Sequence, residues 1–118
     1  MLLLLKTIIF LGVINVWFIR RKSSTKWRGG DAITLKDEFK IYALPNWVFY
    51  FVGVAKVLSA LLIFSSIWIE QIPYKFFALI LCFLMLFAIL MHMKIRDEIM
   101  KSIPAFSMLL ILIMVLNT

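Results

Sequence analysis

The feature that most constrains this chain is the stretch from Trp47 to Ile69, WVFYFVGVAKVLSALLIFSSIWI, an almost unbroken apolar run with one charge, Lys56, near its middle. As a helix it reaches about 34 Å, against about 30 Å for the hydrocarbon core of a bilayer. Further apolar blocks lie at residues 2–19, 74–93 and 103–116. The last reaches only about 21 Å and must borrow its neighbours, extending the span to about 100–118. The chain is 64% hydrophobic and 16% charged, where soluble domains run near 45–50% and about 25%. The expectation is an all-α integral membrane protein. A single domain over 1–118 forms a four-helix bundle with spans at about 2–19, 47–69, 74–93 and 100–118.

The first block carries Lys6 and Asn15 and is followed, not preceded, by Arg20, Arg21 and Lys22. A cleaved signal peptide has the reverse order and a small-residue cleavage site. An uncleaved helix with its N-terminus outside is expected, and Gly12 suits close contact with another helix. In the polar segment 20–46, SST and Arg28-Gly29-Gly30-Asp31 read as loop and turn. In TLKDEFKIYALP, Thr34 and Asp37 have capping-box spacing, and Leu35, Phe39 and Tyr42 recur on one helical face. This predicts a short amphipathic interfacial helix between helices 1 and 2, ended by Pro45; an ordinary solvated loop is the alternative. Glu70, Gln71 and Pro73 form a tight turn, residues 94–98 a polar link, and Ser102 with Pro104 an N-cap and first-turn proline.

Four spans place loops 20–46 and 94–102 on one side, and these hold ten of the thirteen Lys and Arg. The basic side is expected to be cytoplasmic, with both termini outside the cell membrane. The net charge of +7 therefore anchors topology and attracts anionic lipid, and does not point to nucleic acid. Trp17, Trp47, Trp68 and Tyr74 fall near block ends, as interfacial aromatics do. The one cysteine, Cys82, allows no internal disulfide, so redox work needs a cofactor or a partner.

Lys56 is the residue that needs a reason. A charge at that depth costs at least about 2.5 kcal/mol on insertion scales, and snorkelling recovers only part of the depth. Gly53, Ser59 and Ala60 share its helical face and form a helix-packing stripe. A site for an anionic group or a proton-linked step is one reading, a structural ion pair the other. His92 ends the third block on the same side, and Glu38 is the acid best placed to approach Lys56 or His92. Lys56, His92 and Glu38 are thus the candidate buried polar cluster. Asp97 and Glu98 read as solvated loop charges, and Met85, Met91, Met93 and Met108 as packing. No second His or Cys cluster suggests a metal, and no phosphate loop or nucleophile–base motif is present.

The runs EFKIYALPNW, FVGVAKVLSALLIF and LFAILMHMKIRDEIMKSIPAFSMLLILIM resemble the DoxX-like membrane proteins over about residues 28–116. Gly53, Lys56 and Ser59 match the second-helix pattern of that family. Ala88, His92 and Asp97 match the end of the third helix, with Arg96 where a Gly is usual, and Pro104 matches the proline opening the fourth. The resemblance implies a small four-helix bundle. The family is named for a subunit associated with a membrane thiosulfate:quinone oxidoreductase, so quinone enters as a cofactor by resemblance only. Lys56 stands where some relatives have an acid.

Three functions follow. The first is an accessory subunit of a membrane system, redox systems among them, with the bilayer and a redox partner or a second copy as partners. The second is an oxidoreductase subunit acting on a quinone or sulfur compound, with Lys56 holding an anion or semiquinone. The third is a small proton-coupled transporter; such four-helix exporters rely on an acid in the first helix, where this chain has only Asn15.

Overall fold

Helix content follows the apolar blocks. The structure is a computed structural model that describes residues 1–19, 30, 32, 34–96 and 99–118. The expectations for Arg20 to Lys22, the SST and RGGD turns (Gly30 apart), Asp97 and Glu98 lie outside the described residues. Helix α1 covers Leu2–Ile14 and runs on as a π-helical turn over Asn15–Ile19. Helix α2 is Leu35–Ile41, α3 Asn46–Ser65 and α4 Tyr74–Lys94. A 3₁₀ turn, Ile99–Ser102, leads into α5, Ile103–Leu116. Among the described residues there is no strand.

Three of these helices have the length and apolar composition to cross a bilayer: Asn46–Ser65, Tyr74–Lys94 and the joined Ile99–Leu116. The last solves the problem of the short fourth block. Its 3₁₀ turn rises more steeply than an α-helix, and the two together reach about 29 Å. Ser102 holds the N-cap position without a side-chain cap bond, because the 3₁₀ turn gives it helical backbone angles of φ −87° and ψ −6°. Leu2–Phe18 is shorter, at the lower limit of spanning lengths. The second block is helical only to Ser65, four residues before the expected end. The Ser66 hydroxyl donates to the Ile63 carbonyl, and Ile67 and Trp68 close tighter turns onto Phe64 and Ser65.

The helices form a ring. Each of α1, α3, α4 and α5 packs on its chain neighbour, and α5 closes back on α1. The principal extents, 41 × 24 × 20 Å, make a bundle elongated enough to cross a membrane. One buried cluster joins Leu5, Ile9, Ile63, Leu81, Leu112 and Val115. A second joins Val13, Trp17, Leu35, Phe39, Phe49, Val52 and Ala60. The outside is as apolar as the inside: Leu3, Phe51, Val54, Phe76, Phe83 and Leu90 are all exposed. In water such a surface would aggregate; in hydrocarbon it is the solvent-facing side. Lys6 is buried with its ammonium 3.9 Å from the Tyr74 ring centroid, a cation–π contact that covers the charge.

The amphipathic segment forms as expected at its start. The Thr34 hydroxyl accepts from the Asp37 N–H, and the Asp37 carboxylate accepts from the Thr34 N–H. Its stop comes before Pro45. Ala43 N–H bonds Lys40 and Leu44 N–H bonds Phe39, with Ala43 at φ 61°, which is a Schellman close with alanine in the left-handed position. Its apolar stripe faces protein: Leu35, Phe39 and Tyr42 are buried, and Phe39 packs on Trp17 and Phe49. The two polar connections meet at one end of the bundle. Lys94 Nζ donates to the Tyr42 carbonyl and Lys101 Nζ to the Gly30 carbonyl, each at 2.8 Å.

Candidate ligand cavity at the polar end

Helices α1, α3, α4 and α5, together with α2, line a cavity of about 390 Å³. Its size falls within the range of small-molecule sites. Its apolar wall comes from Trp17, Phe39, Met85, Phe87, Met91 and Met108, and its polar groups are Asn15, Glu38, Tyr42, Lys56, His92 and Lys101. Every one of the three residues in the expected polar cluster, Lys56, His92 and Glu38, reaches this cavity.

The local sequence explains the placement. Glu38 and Tyr42 are four apart, so they share a face of α2, and the Tyr42 hydroxyl donates to Glu38 Oε1 at 2.7 Å. The Tyr42 oxygen also lies 3.3 Å from His92 Nε2 and 3.5 Å from Nδ1. With its hydrogen given to Glu38, that oxygen is left to accept from whichever imidazole nitrogen carries a hydrogen. The result is a chain from buried His92 through buried Tyr42 to Glu38. His92 and Lys94, in the last turn of α4, also suit the negative end of its dipole.

Lys56 stands apart from that chain. It is partly buried one helical turn after Gly53, with its ammonium 5.8 Å from the Trp17 ring centroid. That is a cation–π distance. Glu38 is bonded to Tyr42 and faces Lys56 across the cavity without a direct ion pair. Gly53 makes the arrangement fit: a Cβ there would lie 2.5 Å from Trp17 Cζ3. Ala60 and Ser59 are buried farther down α3. On α1, a Cβ on Gly12 would lie 2.7 Å from Met108 Cε of α5, the close helix contact expected of that glycine. Among the described residues, no three of His, Cys, Asp and Glu gather as a metal site would require.

Sequence reasoning missed two members. Tyr42 was readable only as part of an apolar stripe, although its i, i+4 spacing from Glu38 carried the signal. Trp17 reads as an interfacial aromatic, yet it is buried between α3 and the cavity.

A family model described as the DoxX-like family matches residues 31–116. The chain belongs to the DoxX-like family. No match was found among curated proteins or among solved structures. Of the residues that carry the family resemblance, Lys56, Ala88, His92 and Pro104 line the cavity, whereas Gly53 and Ser59 do not. Arg96, where the DoxX-like pattern has a Gly, lies at φ 55° just past the end of α4. That is the left-handed conformation a glycine adopts without cost.

Quinone, the cofactor implied by the resemblance, fits the chemistry of these walls. The aromatic and methionine side chains suit a flat apolar ring, and Lys56 can donate to its oxygens.

Proposed function

We propose that this DoxX-like protein is a ligand-holding accessory subunit of a membrane system, seated with its basic end in the cytoplasm. The cavity takes the polar head of a small amphiphile, and Lys56 binds the anionic or carbonyl oxygen of that head. The observation that carries this reading is Lys56 itself. A cation at this depth is costly, it has no ion-pair partner among the described residues, and it faces a cavity of ligand size.

A second reading, an oxidoreductase subunit acting on a quinone, is favoured by the Glu38–Tyr42–His92 chain. A bound quinone supplies reversible two-electron chemistry. This chain's own residues would hold its oxygen at Lys56 and move a proton along the hydrogen-bonded groups from the polar end. The absence of an acid from the first apolar block gives a proton-coupled transporter no comparable support.

Ligand-induced stabilisation separates these readings. A ligand that binds only the folded state stabilises it by about 2.7 kcal/mol at a hundredfold excess over Kd. In detergent, laurate and decylubiquinone are added separately to wild type and to Lys56→Met. A rise in unfolding temperature with laurate that vanishes in Lys56→Met supports the ligand-holding subunit. A rise with decylubiquinone alone, lost in Lys56→Met, selects the quinone reading. No rise with either contradicts a binding role for the cavity.

A further inference from the structure

A second cavity bears on how the first is filled. It is a groove of about 350 Å³ between the π-helical turn and the outer face of α3, lined by Phe18, Phe49, Tyr50, Val54, Leu58 and Leu61 among others. Tyr50, Val54, Leu58 and Leu61 are exposed, so the groove opens on the surface that faces hydrocarbon. Its polar end is marked by Lys36, whose Nζ donates to the Tyr50 hydroxyl at 3.4 Å. Among the described residues, Trp17 is the one common to the walls of both cavities. One side of its indole meets Gly53, which lines the groove, and Lys56, which lines the central cavity, lies 5.8 Å from its centroid.

Two further observations bear on how a buried Trp17 would open. It sits on the π-helical turn Asn15–Ile19 and not in the regular helix. Such turns are rare and are frequently found at functional positions. On its Gly53 side the indole meets backbone with no Cβ, while Phe39 and Phe49 pack against its other sides.

We infer that Trp17 is a lateral gate between the bilayer and the central cavity, and that the ligand is therefore a membrane-dissolved amphiphile. It lies first in the groove with its tail along Val54 to Leu61, then passes its oxygen-bearing head beyond Trp17 to Lys56. This rests on the ligand-holding reading and adds the source of the ligand. A molecule dissolved in water would instead arrive from the polar end, past Glu38 and Lys101.

The test is labelling of a single cysteine inside the cavity. The full chain carries Cys82→Ser and Ala88→Cys in phosphatidylcholine vesicles, since Ala88 lines the cavity and not the groove. The probes are membrane-dissolved N-dodecylmaleimide and a membrane-impermeant sulfonated methanethiosulfonate. The gate predicts labelling by the maleimide, slowed when Val57→Phe fills the groove and unchanged by Leu90→Phe on the far surface. Trp17→Ala should speed it about tenfold, the weight of a partly desolvated cation–π contact together with the ring packing. Gly53→Ala, which displaces the indole, is the second variant should Trp17→Ala fail to fold. Equal maleimide rates in wild type and Val57→Phe overturn the gate, as does labelling by the sulfonate alone. No labelling by either probe overturns it too, because a gate that never opens admits nothing. Loss of ligand stabilisation in Lys56→Met is measured separately, so the gate can fail while the cavity reading stands.

Discussion

Replacing Gly53 with alanine sets two opposed effects against each other, and the structure decides which wins. Alanine is favoured over glycine inside a helix by about 1 kcal/mol. At Gly53, however, the new Cβ would lie 2.5 Å from Trp17 Cζ3 and 2.9 Å from Cε3. The atoms it meets belong to a rigid ring, buried between Phe39 and Phe49. Overpacking of this kind costs roughly 1–3 kcal/mol, so Gly53→Ala should be net destabilising by about 1 kcal/mol. Gly12→Ala is the control. Its Cβ would meet Met108 Cε at 2.7 Å, the far end of a flexible thioether that can turn away. That variant should be neutral, or more stable by up to about 1 kcal/mol. Equilibrium unfolding in mixed micelles with increasing SDS measures both. A double-mutant cycle with Trp17→Phe, which removes the indole's outer atoms, should abolish most of the Gly53→Ala cost. If Gly53→Ala stabilises the protein as Gly12→Ala does, the contact with Trp17 does not set the spacing of α1 and α3.

Tyr42→Phe removes the hydroxyl between Glu38 and His92. It should cost about 1–3 kcal/mol of unfolding free energy, since it leaves buried polar groups without that partner. Ala43→Gly and Arg96→Gly should each stabilise by about 1 kcal/mol, because both residues hold positive φ, 61° and 55°, which costs an L-residue roughly that much; unchanged unfolding midpoints would contradict the strain. Lys94→Met, which cuts the bond from α4 to the Tyr42 carbonyl, should raise amide hydrogen exchange in α2 while leaving the protected core of α3 unchanged.

The spans were legible because apolar length is read directly against bilayer thickness. Their ends were less so. The stop at Ser65 depends on the Ser66 hydroxyl taking a main-chain carbonyl, which hydropathy does not register. The stripe Leu35, Phe39 and Tyr42 announced a buried face, but periodicity cannot say whether lipid or protein buries it; here protein does. Pro45 concealed the earlier Schellman close at Ala43. Lys56 was legible as a charge with nowhere ordinary to go, and His92 and Glu38 followed from sidedness. The hydroxyl that joins the last two is not, because the spacing of Leu35, Phe39 and Tyr42 reads as an apolar face and carries no mark of a polar contact. Trp17 was the least legible residue, because its position depends on a π-helical turn with no sequence signature.

The account centres on Lys56 facing a ligand and not an internal partner. The direct measurement is mass spectrometry of the full chain extracted with its native lipids, wild type beside Lys56→Met, identifying bound small molecules and co-purifying chains. The account predicts a stoichiometric amphiphile with an acidic or carbonyl head on the wild type and its loss from a folded Lys56→Met. Wild-type protein carrying only ordinary phospholipid, indistinguishable from Lys56→Met, would contradict it and leave Lys56 as a structural charge.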